Sequence, residues 1–177
     1  MGELRSALDV LARVELDGLS DGELLAHVSE LVVAGNRVAA ALTRAVRRAD
    51  VRGASEFDGA KTMQAWLRGV PRVSGSAASR LVTQGRRLEQ LPAADAAFAA
   101  GAFGADQVEV IAELATPKHL DLAQQQGIDV AAVETVLVQL ACAGTHRDLQ
   151  KAVGDYLAKL DPDGPEPDDA FVKRTAS

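Results

Sequence analysis

The longest periodic pattern in the chain runs through residues 20–53. Leu24, Val28, Leu31, Gly35, Val38, Leu42, Ala45 and Ala49 are apolar or small and alternate spacings of four and three. That is the heptad signature of one face of a long helix. Ser20-Asp21-Gly22-Glu23 ahead of it has the form of a capping box, in which Ser20 accepts from a backbone N–H and Glu23 reaches back. Gly53 suits a left-handed stop. Such a helix, about 32 residues long, spans about 48 Å at 1.5 Å per residue. Gly35, Ala45 and Ala49 favour close packing, so the seam is expected to face the helices that follow, inside one chain. A two-chain pairing is the alternative.

The flanking pattern is helical too. Leu4, Ala7, Leu8, Leu11 and Val14 mark a short amphipathic helix that breaks at Asp17-Gly18. Asp58 is expected to cap a helix over 59–70, with Met63, Trp66 and Leu67 apolar and Trp66 anchored beneath the long helix. Pro71 to Ser74 reads as a turn. Ser74 then caps a helix over 75–91 that turns Ala78, Leu81, Val82, Leu88 and Leu91 inward and Arg80, Gln84, Arg86 and Arg87 outward. Short helices follow over 92–101 and 105–114. Thr116-Pro117 opens another, with proline at the first helical position, and Gly127 ends it. Asp129 starts the next; its run Val133–Leu140 is β-branched enough to imitate a strand, but Val130, Val133, Leu137 and Leu140 keep helical spacing. Thr145 caps the last helix, which ends at Leu160.

Composition supports this reading. Apolar residues are 47% of the 177, and aromatics only 3%, so the core is built mainly from Ala, Leu and Val, which let helices approach closely. The fold expected is all-α: one long N-terminal helix packed by shorter ones, including a helix-turn-helix-like pair. One domain over 1–160 is followed by an acidic, proline-rich linker and tail over 161–177. A single cysteine, Cys142, cannot form an intrachain disulfide. With no apolar run near 18 residues and no signal-peptide pattern, a cytoplasmic protein without membrane contact is expected.

Charge adds a candidate function. Between Arg37 and Arg87 eleven Lys/Arg face three acids, a net of +8, whereas the remainder carries eight bases and 22 acids, a net of −14; together they give −6. A basic middle third suits either an anionic partner or internal pairing. A recognition helix wants guanidinium groups for phosphates and base edges. Arg80, Arg86 and Arg87 on the second helix of the helix-turn-helix-like pair, flanked by Arg44, Arg47 and Arg48, are therefore the candidate nucleic-acid contacts. The expected partner is duplex DNA, bound weakly and without sequence preference, with a homodimer as a further expectation. Against this, Asp106, Glu109 and Glu113 on the 105–114 helix would repel phosphates unless they meet the basic stretch.

No catalytic constellation is visible. His27, His119 and His146 lack Cys or His partners at metal spacing, and there is no phosphate loop or nucleophile elbow. Neither an enzyme nor a cofactor is expected.

Several ordered segments carry a resemblance: residues 19–25 (Leu-Ser-Asp-Gly-Glu-Leu-Leu), 49–53 (Ala-Asp-Val-Arg-Gly), Ala65-Trp66-Leu67, Val73-Ser74, Leu91-Pro92, Ala99-Ala100-Gly101 with Gln107-Val108, and residues 160–164 (Leu-Asp-Pro-Asp-Gly). Their order and spacing resemble the bacterial domain-of-unknown-function family 222, with the mycobacterial 13E12-repeat proteins as relatives. The resemblance implies a helical region preceding an HNH nuclease module, and hence a nucleic-acid context. The histidines and asparagine of an HNH site have no counterpart in this chain, so no catalytic residue carries over. The resemblance implies the DNA-associated or regulatory N-terminal part of such a protein; a protein-interaction or dimerisation module without a nucleic-acid role is the alternative.

Overall fold

A computed structural model describes residues 2–162. Of the linker and tail expected over 161–177, residues 163–177 lie outside the described residues. Within them the chain is helical throughout, with no strand: α1 (Gly2–Leu11), α2 (Asp21–Val51), α3 (Met63–Gly69), α4 (Gly75–Leu88), α5 (Pro92–Ala100), α6 (Ala105–Ile111), α7 (Pro117–Gln125), α8 (Val130–Ala143) and α9 (His146–Leu160). Two 3-10 turns, Ala54–Asp58 and Ala112–Ala115, join α2 to α3 and follow α6.

Local chemistry sets most of the boundaries. The capping box of α2 is complete: the Ser20 side chain accepts from the Glu23 N–H, and the Glu23 carboxylate accepts from the Ser20 N–H at 2.9 Å. Ser74, Thr116, Asp129 and Thr145 cap α4, α7, α8 and α9. The segment after α2 differs from expectation. Asp58 does not cap α3, because Gly59 turns the chain through φ +75° and Thr62 takes the capping position, accepting from the Ala65 N–H at 3.1 Å. Asp58 instead accepts from Trp66 Nε1 at 2.6 Å. Trp66 is therefore half-buried, its ring against a cluster of Val46, Met63, Leu67, Ala78 and Val82 and its polar edge outside.

The main core centres on α5. Phe98 and Ala94 are fully buried there, among Leu91, Ile111, Leu114, Leu137 and Leu149 from α6, α8, α9 and the intervening turns. The C-terminal half of α2 closes one side of this core through Ala40 and buries Val46 in the smaller cluster.

The expected packing of the heptad seam is not observed. Leu31 is 40% exposed, Val38 52% and Leu42 47%. The buried Ala40 and Thr43 point roughly 130–170° away from the seam at 100° per residue. The reason is close approach. A Cβ on Gly85 of α4 would stand 2.9 Å from Arg47 Cβ and 3.3 Å from the Thr43 carbonyl oxygen, and one on Gly101 would stand 2.8 Å from the Val33 carbonyl oxygen. Helices that near require the Ala/Thr face of α2; its leucines would hold them off. The seam is left on the outer side.

Candidate interaction surface

Five of the six arginines singled out in the sequence are held by carboxylates of the same chain. Arg44 makes a bidentate contact with Asp95 on α5, with Nη2–Oδ2 at 2.7 Å and Nε–Oδ1 at 3.1 Å. Arg47 grips Glu89 with Nε–Oε1 at 2.8 Å and Nη2–Oε2 at 2.6 Å, and reaches Asp50 at 3.2 Å. Arg86 donates twice to Asp50, at 2.9 and 3.1 Å. Arg87 meets Glu113 at 2.5 Å, and Arg80 stands 3.9 Å from Glu109. Among the described residues Arg48 has no ion pair. The pairings hold Asp50 and Glu89 below the usual carboxylate range, chiefly through the hydrogen bonds from Arg86 and Arg47 respectively.

These contacts lash α4, α5 and the Ala112–Ala115 turn together and onto the basic half of α2. Apart from Asp50, which lies in the basic stretch itself, the acids come from the acidic remainder of the chain, and the 105–114 segment does meet the basic stretch. Gln84, expected outward, is buried and donates to the Ala105 carbonyl oxygen at 2.9 Å, tying α4 to the start of α6. Between Arg44, Arg47, Glu89 and Asp95 lies a cleft of about 200 Å³, smaller than the roughly 300–1,000 Å³ of ordinary ligand pockets, and its charges already neutralise one another.

The histidines do not converge. His119 Nδ1 lies against the Glu113 carbonyl oxygen within its own turn of chain, while His27 and His146 belong to α2 and α9. Glu134 is a buried acid on α8, 2% exposed, accepting from the Ala94 N–H at 2.8 Å at the start of α5. Burial raises its pKa, and the amides of Ala94 and Ala93 oppose that rise.

The apolar arm at the N-terminus has a different character. α1 buries none of its residues, and α2 buries nothing before Ala40. Fourteen of the eighteen exposed large apolar residues among those described lie between Leu4 and Leu42, so the apolar exposure is concentrated in one region. Contiguous apolar surface of this kind marks an interaction site. The exposed stripe is also wide. Leu25 and Val32 extend the Leu24–Val28–Leu31–Val38–Leu42 seam along one flank, and a heptad face with a third apolar position is the pattern of a helix meeting other helices in a bundle. Gly35 sits mid-seam with nothing within 4 Å of its would-be Cβ. A glycine inside a helix costs about 1 kcal/mol relative to alanine, and no neighbour among the described residues accounts for it.

Periodicity located this face in the sequence; its exposure was not visible there. A family model described as "Domain of unknown function (DUF222)" matches residues 25–175, which takes in α2 from its second turn onward and leaves α1 outside. No curated protein and no solved structure matches the chain.

Proposed function

The chain belongs to domain-of-unknown-function family 222, a name that assigns no activity, and from that premise we propose that it is a non-catalytic self-association module whose docking element is the apolar arm of α1 and the first half of α2. The observation that carries this reading is the exposed seam from Leu24 to Leu42, on the side of α2 away from the core. An interface of standard size draws about 800 Å² and roughly 20–30 residues from each partner. The arm, residues 2–42, offers a segment of that order. A second copy brings the same unsatisfied surface, which makes the contact self-complementary.

The duplex-DNA reading has less in its favour. A phosphate would have to compete with bidentate carboxylates for Arg44, Arg47 and Arg86, in a chain of net charge −6. On our reading the module works in the cytoplasm, where its one thiol, the exposed Cys142, stays reduced. No helix among the described residues is long and apolar enough to cross a membrane.

Hydrogen exchange tests the proposal. Backbone amides over residues 24–42 should exchange more slowly in concentrated than in dilute protein, while α8 and α9 stay unchanged. Exchange independent of concentration across the arm would overturn the reading.

A further inference from the structure

We propose that the unit built around the C-terminal end of α2 binds single-stranded nucleic acid, with phosphates held by Arg48, Arg52, Lys61, Arg68 and Arg72 and a base stacked on Phe57. None of these residues belongs to the apolar arm, so the proposal does not depend on self-association.

The fold gathers these residues at one end. Leu88 shares the main core with Ala40, Gly85 lies against Thr43 and Arg47, and Val82 packs with Val46. α4 therefore runs antiparallel to α2, and its first turn lies beside the last turn of α2. α3 closes over both through Met63 and Leu67. The Val73 N–H donates to the Leu67 carbonyl oxygen at 2.9 Å and folds the α3–α4 turn back onto α3. Arg48 and Arg52 at the end of α2, Lys61 just before α3, Arg68 within it and Arg72 in the turn thus surround the smaller apolar cluster. All five are exposed.

These five differ from the neighbouring arginines in having no internal partner. Arg44, Arg47, Arg86 and Arg87 are each held by a carboxylate, whereas none of the five makes an ion pair among the described residues. Two exposed acids share this end. Asp58 accepts from Trp66 Nε1, and the Glu56 carboxyl lies over Gly53 within its own turn. Five cations against two acids leave the end positive in a chain that is acidic as a whole. Unpaired cations are the ones free to neutralise phosphates and release their counterions.

Phe57 makes the fitting partner a single strand. Its ring is 95% exposed, more than any other large apolar residue described. The turn that carries it is tightly closed: Gly53 and Gly59 bound it in the left-handed region, at φ +63° and +75°, and the Ala60 N–H donates to the Ser55 carbonyl oxygen at 3.0 Å. A ring held in water adds nothing to the core, but it is a platform for an unpaired base, whatever the base. A duplex keeps its base faces covered and would leave the ring unused. An anionic lipid surface would press Glu56 and Asp58, on either side of the ring, against like charge. A strand can lie along the cations and present one base to Phe57.

Fluorescence anisotropy of a labelled, mixed-sequence DNA strand of about 12 nucleotides tests the proposal on the full chain. Binding at about 50 mM salt should weaken about 100-fold by about 200 mM, since each phosphate contact on a single strand adds about −0.7 to the salt slope. Arg68→Gln/Arg72→Gln should flatten that slope by about 1.4. Phe57→Ala should weaken binding roughly 5- to 150-fold, the range that base–aromatic stacking supplies, with its urea midpoint unchanged, and Phe57→Trp should restore it. The same sequence as a duplex should bind less tightly. No binding at about 50 mM salt, an unchanged slope in the double variant, or equal binding by Phe57→Ala would overturn the proposal. So would a duplex, or vesicles of equal parts phosphatidylserine and phosphatidylcholine, bound more tightly than the strand.

Discussion

Arg86 and Asp50 are joined by two parallel hydrogen bonds, Nε to Oδ2 at 2.9 Å and Nη2 to Oδ1 at 3.1 Å, which clamp α4 to the end of α2. The carboxylate is nearly enclosed, with 12% of its side chain exposed, while the guanidinium is 58% exposed. Arg86→Ala should therefore cost about 1 kcal/mol, toward the upper end for pairs with an exposed partner, read as a lower urea midpoint. Asp50 also sets a pH dependence. Its folded pKa is depressed by Arg86, so its stabilisation is present above the unfolded value of about 3.9 and is lost as pH falls through the depressed folded value. Asp50→Asn should flatten that acid limb.

The same pairs bear on nucleic acid. A labelled duplex titrated at low and at moderate salt should show no affinity that Arg80→Ala/Arg86→Ala/Arg87→Ala loses. The triple variant should instead be less stable in urea. Binding by the parent that falls steeply with salt, through counterion release, and that disappears in the triple variant, would restore the duplex-DNA reading.

Glu134 behaves in the opposite sense to Asp50. Burial raises its folded pKa above the unfolded value of about 4.3. The stability it contributes is complete below that value and is lost as pH rises through the folded one. Glu134→Gln keeps an oxygen for the Ala94 N–H without the charge, so its stability relative to the parent should increase between about pH 4 and pH 7. Glu134→Ala should cost about 1–3 kcal/mol below about pH 4, because it strands a buried N–H, and less as pH rises and the parent loses its own stabilisation. Urea unfolding across that range checks both.

Much of the architecture could be read directly from the sequence because it is set by neighbours. The capping residues Ser20, Ser74, Thr116, Asp129 and Thr145 act within three residues of themselves. What could not be read depended on distant partners. Asp95, Glu89 and Glu113 lie between 26 and 51 residues from the arginines they hold, so the basic segment looked free. Gln84 looked solvent-facing because its acceptor is the backbone of another helix. The heptad seam was legible as a face, whereas its direction was decided by Gly85 and Gly101, whose closeness to α2 no local pattern announces.

Gly35 separates the isolated arm from the paired one. In an unpartnered helix Gly35→Ala should stabilise by about 1 kcal/mol. On the docking face proposed above, the added methyl crowds the second copy. The variant should therefore gain stability in dilute protein and lose association, as followed by thermal melts over a range of concentrations.

Sedimentation equilibrium tests the central claim most directly. A chain of 18.5 kDa should sediment at twice that mass at micromolar concentration and return toward the single-chain mass on dilution. Leu31→Lys/Val38→Lys should remain at the single-chain mass with its helical circular dichroism intact, while Val136→Lys, at an exposed apolar site outside the arm, should associate as the parent does. A parent that stays at 18.5 kDa throughout, or a seam variant that associates as strongly as the parent, would contradict the account.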